Sequence, residues 1–254
     1  MGGETARMIV LKLGGSVITE KDRPETLDGP ALERAADVIA AALEDRDPEG
    51  LVLVHGAGSF GHHYASEHGV DTTAGTHDAG AVLDIHGAMK TLDEFVLARL
   101  RDRDVPAVPV HPFSAGHRDA AGELDLHTGQ VGTLVAEGFV PVLHGDVIAH
   151  AGEGATIISG DEVVTRVATD LEADCVGLCS TVPGVLDADD AVIDEITAFE
   201  DVASVLGASD ATDVTGGMAG KVQTLLDLEA EASIFGLDDL TAFFDGANPG
   251  TTIR

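Results

Sequence analysis

Short apolar runs alternate along the chain with longer stretches of helical period. Residues 8–13 (MIVLKL) and 51–54 (LVLV) show no polar alternation apart from one lysine. Such a run marks a strand covered on both faces. Residues 31–43 repeat their apolar positions with helical period, and Pro30 suits a first turn, where a missing N–H costs nothing. Residues 81–101 carry Val82, Ile85, Met89, Leu92 and Val96 at spacings of three and four, which predicts a long helix. Residues 107–110, 140–143, 175–178 and 233–235 read as further strands, and 161–171 and 217–231 as further helices. Helices set between apolar strands predict an α/β fold, with a mostly parallel sheet sandwiched by helices in three layers. No linker or repeat interrupts the pattern. A soft seam at 149–156 (AHAGEGAT) reads as a hairpin or loop.

The 254 residues, 44% of them hydrophobic and 31 of them glycine, allow one α/β domain or two fused lobes with many tight turns. No apolar run approaches the roughly 20 residues of a membrane span. Residues 1–7 lack the apolar segment of a secretion leader. A cytoplasmic protein is expected. The 45 acidic and 14 basic residues give a net charge of −31. That field opposes nucleic acid, whose binding needs phosphate neutralisation. The acids, among them Glu25, Asp47, Glu67, Glu123, Asp189 and Glu229, are spread along the chain. This favours adaptation to molar salt, where the Debye length is about 3 Å, over a local acidic docking surface. Cys175 and Cys179 read as two small buried hydrophobes on one strand, with no disulfide framework or zinc pattern.

Only four lysines are present, and Lys12, Lys21 and Lys221 lie beside glycine-rich or turn segments. Lys12-Leu13-Gly14-Gly15-Ser16 closes the first strand, where glycines let backbone N–H groups approach an anion. Residues 55–62 (HGAGSFGH) fit a G-x-G-x-x-G loop after a strand, but a dinucleotide fold wants that loop after its first strand and an acid about 20 residues later. A phosphate nest with His62 as an added donor fits better. Residues 140–146 (VPVLHGD) bring Asp146 to a strand's carboxyl end, as a ligand-facing or merely turn-forming acid. In 157–161 (IISGD), Ser159 or Asp161 caps a helix or faces a ligand. Residues 213–221 (DVTGGMAGK) fail as a P-loop, since Thr215 and Val222 stand where glycine and Ser or Thr are required. They still open a helix with a lysine in its first turns, a geometry suited to phosphate.

In this collinear order the segments resemble the amino acid kinase superfamily and, within it, the isopentenyl phosphate kinases. The matching stretches are KLGGS (12–16), TEK (19–21), HGAGSFGH, HGD (144–146), ISGDE (158–162) and DVTGGMAGK. The resemblance implies a kinase that moves the γ-phosphoryl group of ATP onto isopentenyl phosphate. Alternatives are a kinase for another small phosphate or phosphonate, or a non-catalytic nucleotide-binding member, which would be expected to lose the lysines. It implies that Lys12 and Lys221 contact the ATP phosphates and the transferred group, Lys21 stabilises transition-state charge and Asp161 orients lysines. Gly14, Gly15, Ser16, Gly58 and Gly217 would line the nucleotide site; Ala57, His62, Gly145 and Asp146 would hold the acceptor phosphate; Val82, Ile85 and Met89 would face its tail, or be ordinary core. A modest residue at Val82 implies a pocket open to somewhat longer tails. Magnesium would ride on the nucleotide phosphates, with no protein ligand named. A homodimer is implied, as are an acceptor-binding lobe over 1–155 and a nucleotide-binding lobe over 156–254. Two departures are visible: Ala57 replaces a frequent glycine, and STVPGV (180–185) replaces TDVDGV.

Overall fold

A computed structural model describes residues 7–45, 50–206 and 217–254. Its strands are β1 (Ile9–Leu13), β2 (Leu51–His55), β3 (Ala107–Pro109), β4 (Gly116–Arg118), β5 (Leu124–Leu126), β6 (Val140–His144), β7 (Asp146–His150), β8 (Gly154–Ile158), β9 (Cys175–Ser180), β10 (Glu195–Ile196), β11 (Glu231–Gly236) and β12 (Thr251–Ile253). The helices are α1 (Gly15–Ile18), α2 (Gly29–Asp45), α3 (Gly58–His68), α4 (Ala79–Arg101), α5 (Pro112–Ala115), α6 (Gly129–Ala136), α7 (Gly160–Asp170), α8 (Ala203–Leu206), α9 (Gly217–Leu226) and α10 (Leu240–Phe244).

Eight strands form one sheet in the order β10-β12-β11-β9-β1-β2-β6-β3, and only the β11–β12 pair is antiparallel. The apolar runs alternate between its faces. Leu11, Leu13, Leu51 and Leu53 pack with Leu32 and Ile39 of α2, Leu92 and Val96 of α4 and Phe243 of α10. Val10, Val52, Val54 and Val176 pack on the other face with Val163 and Val167 of α7 and Val222 and Leu225 of α9. Each fully buried side chain of this size contributes about 1.5–3 kcal/mol, so the two faces, rather than local propensity, set the layers. The expected three-layer α/β architecture is the observed one.

Three boundaries differ from expectation. The helix read over 217–231 stops at Leu226, because Glu231–Gly236 must extend to pair with β9. Helix α3 replaces a bare loop: the glycine-rich segment opens directly into it at Gly58. A second sheet, β5-β4-β7-β8, was not legible, and residues 149–156 span the turn of its β7–β8 hairpin. No helix among the described residues is long and apolar enough to cross a membrane.

The registers matter for function. Leu13 lies opposite both His55 and Cys179, and His55 lies opposite His144. Strands β1, β2, β6 and β9 therefore end level, at one edge of a parallel sheet, where such folds bind ligands. Gly14, Gly56 and Gly145 follow three of these ends.

Candidate active site

Two glycine loops meet there backbone to backbone. A Cβ on Gly15 would lie 2.1 Å from the Gly58 nitrogen, and one on Gly56 would lie 2.5 Å from the Gly15 nitrogen. Gly58 also has φ +50, a left-handed conformation that favours glycine. Thr19 ties the loops together: its Oγ1 donates to the Gly15 carbonyl at 2.8 Å and accepts from the Ser59 amide at 3.0 Å. Only glycine fits this close approach. Gly15→Ala is expected to lower stability by about 1–3 kcal/mol, the usual cost of overpacking. That corresponds to a fall in Tm of about 2–12 °C for a chain of this size, read by scanning calorimetry, and an unchanged Tm would mean that the loops are not in contact.

The loops border an open cavity of about 300 Å³. Lys12, Lys21, His62, Asp161 and Lys221 all line it, with Gly14, Gly15, Ser16, Ala57, Gly58, Gly145, Asp146, Ile85 and Met89. Lys12 projects from the central strand and is 7% exposed. Its Nζ donates to Asp161 Oδ1 at 2.6 Å. A buried lysine needs such a partner. Asp161 is placed by the start of α7, where Ser159 and Glu162 form a reciprocal capping box. Ser159 is thus the cap, and Asp161 is left to face the lysine. Lys221 lies in the second turn of α9, with its Nζ 3.3 Å from the Gly217 carbonyl. Half-buried His62 comes from α3, and exposed Lys21 from the turn over the cavity. Lys90, the fourth lysine, is exposed on α4 and does not line the cavity.

The cavity changes character along its length. Ala65, Ile85, Met89 and Ile157 give one end an apolar lining. Ser180, Thr181, Val182 and Met218 lie on its C-terminal side. Asp146 lines the cavity but its oxygens are engaged: Oδ1 accepts from the Val147 amide at 2.8 Å and Oδ2 meets His86 Nδ1 at 2.8 Å. Burial pushes the neighbouring His144 imidazole down to about 4 from its ordinary 6.5, helped by His55 and opposed by Asp146 and Asp93. The sign follows: the unfolded chain binds this proton between pH 6.5 and 4 and the folded chain refuses it, so stability falls as pH drops through that window. The full loss from this group is about 3 kcal/mol. His144→Asn, which keeps a donor at the δ position, is expected to flatten the slope in urea unfolding between pH 4 and 6.5; an unchanged slope would contradict the assignment.

Two predicted residues fall outside the lining. Val82 lies one turn before Ile85 and packs, half-buried, against a small cluster containing Ala65, Ile85 and Val147, behind the lining residues rather than among them. Gly217 is not a lining residue; Met218 and Lys221 take its place. Asp213, Val214, Thr215 and Gly216 lie outside the described residues. Sequence reasoning missed Gly61, Ala65, Ile157 and Gly160. The glycines carry a signal in retrospect: a Cβ on Gly61 would meet Met89 Sδ at 2.5 Å, and one on Gly160 the Lys12 Cε at 3.2 Å. Among the described residues, Asp93, His111 and His144 bring three possible metal-ligating atoms within 4.8 Å of one another.

A parallel sheet that gathers glycine corners, lysines and helix N-termini at one cavity defines a phosphate-handling α/β protein. The chain belongs to the amino acid kinase family, whose model matches residues 7–234. It is 60% identical over 247 residues to the isopentenyl phosphate kinase of Haloferax volcanii, covering 97% of this chain and 98% of that one. The isopentenyl phosphate kinase of Methanothermobacter thermautotrophicus is 34% identical, with 86% of each chain covered. A solved isopentenyl phosphate kinase structure superposes with a TM-score of 0.83 at 29% identity, over 97% of this chain and 100% of that one.

Proposed function

We infer that the protein is a phosphotransferase that uses ATP to convert isopentenyl phosphate into isopentenyl diphosphate. The observation that carries this reading is the one cavity lined by Lys12, Lys21, Lys221 and His62 together with the apolar Ala65, Ile85 and Met89. A cationic centre with an apolar end fits a short alkyl phosphate meeting a nucleotide polyphosphate. Close identity to isopentenyl phosphate kinases supports the choice of acceptor.

The chemistry asks little covalent help of the protein. Phosphoryl transfer is catalysed by positioning and charge neutralisation. A phosphate monoester, with its second pKa near about 6, is already a nucleophile at neutral pH. No general base is required, and the cavity carboxylates are otherwise occupied: Asp161 by Lys12, and Asp146 by His86 and the Val147 amide. The same occupancy fits magnesium carried on the nucleotide phosphates, since this ion keeps several waters and needs few protein ligands. In the proposed scheme Lys12 and Lys221 neutralise the transferring group and the ATP phosphates. Lys21 adds charge from above, and Asp161 orients Lys12. The glycine loops supply N–H donors, while His62 and Ala57 hold the acceptor phosphate. Helices α3 and α4, with Ile157 of β8, border the acceptor end, and β9 with α9 border the nucleotide end, which fits lobes dividing near residue 155. A cytoplasmic homodimer completes the reading.

The test is ATP-dependent turnover across a panel of small alkyl phosphates, in molar KCl, with the product mass measured. The expected result is one added phosphoryl group on isopentenyl phosphate and falling rates as the tail outgrows the end formed by Ile85 and Met89. Turnover of a phosphonate or amino acid in preference to isopentenyl phosphate would reassign the acceptor.

A further inference from the structure

Behind the acceptor end lies a cluster that the reaction scheme leaves unused. His55 ends β2, His144 ends β6, Asp93 and His86 come from α4, and His111 precedes α5. Neighbouring imidazole centroids are 5.2 Å apart for His55–His144 and for His111–His144. His55 and Asp93 are each 1% exposed and His144 is sealed.

The partners fix where the protons sit. His55 Nδ1 is 3.1 Å from the Gly56 carbonyl, and His144 Nδ1 is 2.9 Å from the Gly145 carbonyl. A carbonyl only accepts, so each Nδ1 bears a proton. His144, with its pKa pushed down to about 4, is neutral at pH 7, and its Nε2 is an acceptor. His111 Nδ1, 2.9 Å away, therefore donates to it. That leaves His55 Nε2 at 3.5 Å from Asp93 Oδ1. Neither atom has a hydrogen-bond partner among the described residues. A neutral His55 would set two acceptors face to face, with a carboxylate sealed from water. Such an arrangement is costly unless a proton lies between them.

We propose that Asp93 and His55 share one buried proton and act as positioning residues that aim the Ala57 amide at the acceptor's phosphate. The proposal rests on the phosphoryl-transfer reading above and extends it. The peptides of the described residues are trans. In a trans peptide the C=O and N–H point in opposite directions. With the Gly56 carbonyl turned to the His55 ring, the Ala57 N–H turns away from it, to the side where Gly56, Ala57 and Gly58 line the cavity. No described residue accepts from that N–H. Asp93 Oδ2 lies 4.0 Å from His111 Nδ1, so the same carboxylate also faces the ring that donates to His144. His86 and Asp146 complete the titratable groups on this side.

The experiment is a pair of exchanges with both Michaelis constants measured, each referred to wild-type turnover of isopentenyl phosphate. His55→Phe keeps a ring but loses the δ donor. It is expected to raise the acceptor KM about tenfold, the effect of misplacing one donor to a charged group, with the ATP KM within about twofold. His55→Asn restores a donor at the δ position and is expected to recover most of the loss. Equal acceptor KM values in wild type and His55→Phe, or equal rises in both KM values, would overturn the proposal. Imidazole 15N spectra of the wild-type protein test the proton without reference to activity. Protons on both His55 nitrogens at pH 7 support it; an unprotonated Nε2, or one transition-metal ion per chain in the purified protein, overturns it. If wild type fails to turn over isopentenyl phosphate while the spectra show the doubly protonated ring, the acceptor assignment fails and the shared proton stands.

Discussion

Exchanging Lys12 for methionine lowers kcat by about 10³-fold, the range lost when a preorganised cation or oxyanion donor is removed from a transferring group. Methionine keeps most of the buried stem, so the packing of β1 between β2 and β9 survives. The charge does not. Asp161 then faces the cavity without its partner at 2.6 Å. Breaking a fully buried pair costs about 3–5 kcal/mol. Here the loss is smaller, because the Asp161 side chain is 13% exposed and opens towards the cavity. The two effects separate in a double exchange. Lys12→Met with Asp161→Asn is expected to regain thermal stability and to stay inactive. Turnover within about tenfold of wild type would remove Lys12 from the chemistry and leave it a structural ion-pair partner.

His62 gives the second large effect, on a different substrate. It reaches the cavity from the first turns of α3, close to the Ala57–Gly58 corner and on the side that leads to Ala65 and Met89. A hydrogen bond to a charged group is worth about 1.5–3 kcal/mol. His62→Ala is therefore expected to lower kcat/KM for the acceptor by about 10–150-fold and to leave the ATP KM nearly unchanged. Steady-state kinetics with each substrate varied in turn supply the check. A rise confined to the ATP KM would place His62 at the nucleotide end and reverse the proposed orientation of the cavity.

Legibility of the fold followed burial. The runs in β1 and β2 were plain because both faces of a central parallel strand are covered, and the pattern has no polar gaps. The three-residue strands β4 and β5 carry too little pattern to stand out, and their sheet was missed. Helix α3 was hidden by its composition: its first turn is glycine-rich, and histidines and serines break up its apolar pattern. The glycine and lysine corners were legible because close backbone approach and phosphate charge each demand a particular residue type. Depth was not legible. Helical spacing puts Val82, Ile85 and Met89 on one stripe, but only the latter two reach the cavity. The Asp93 and His55 pair was also invisible, since it joins residues from α4 and β2 that only the folded chain brings together.

In the proposed scheme one cavity holds both phosphorylated substrates end to end between Lys12, His62 and Lys221. Inhibition by a bisubstrate analogue, adenosine polyphosphate joined through its terminal phosphate to an isopentenyl group, tests it most directly. Competition with both ATP and isopentenyl phosphate, and binding tighter than either alone, is the predicted result. Competition with ATP alone, leaving the acceptor KM untouched, would show that the acceptor sits elsewhere and that the two substrates do not share this cavity.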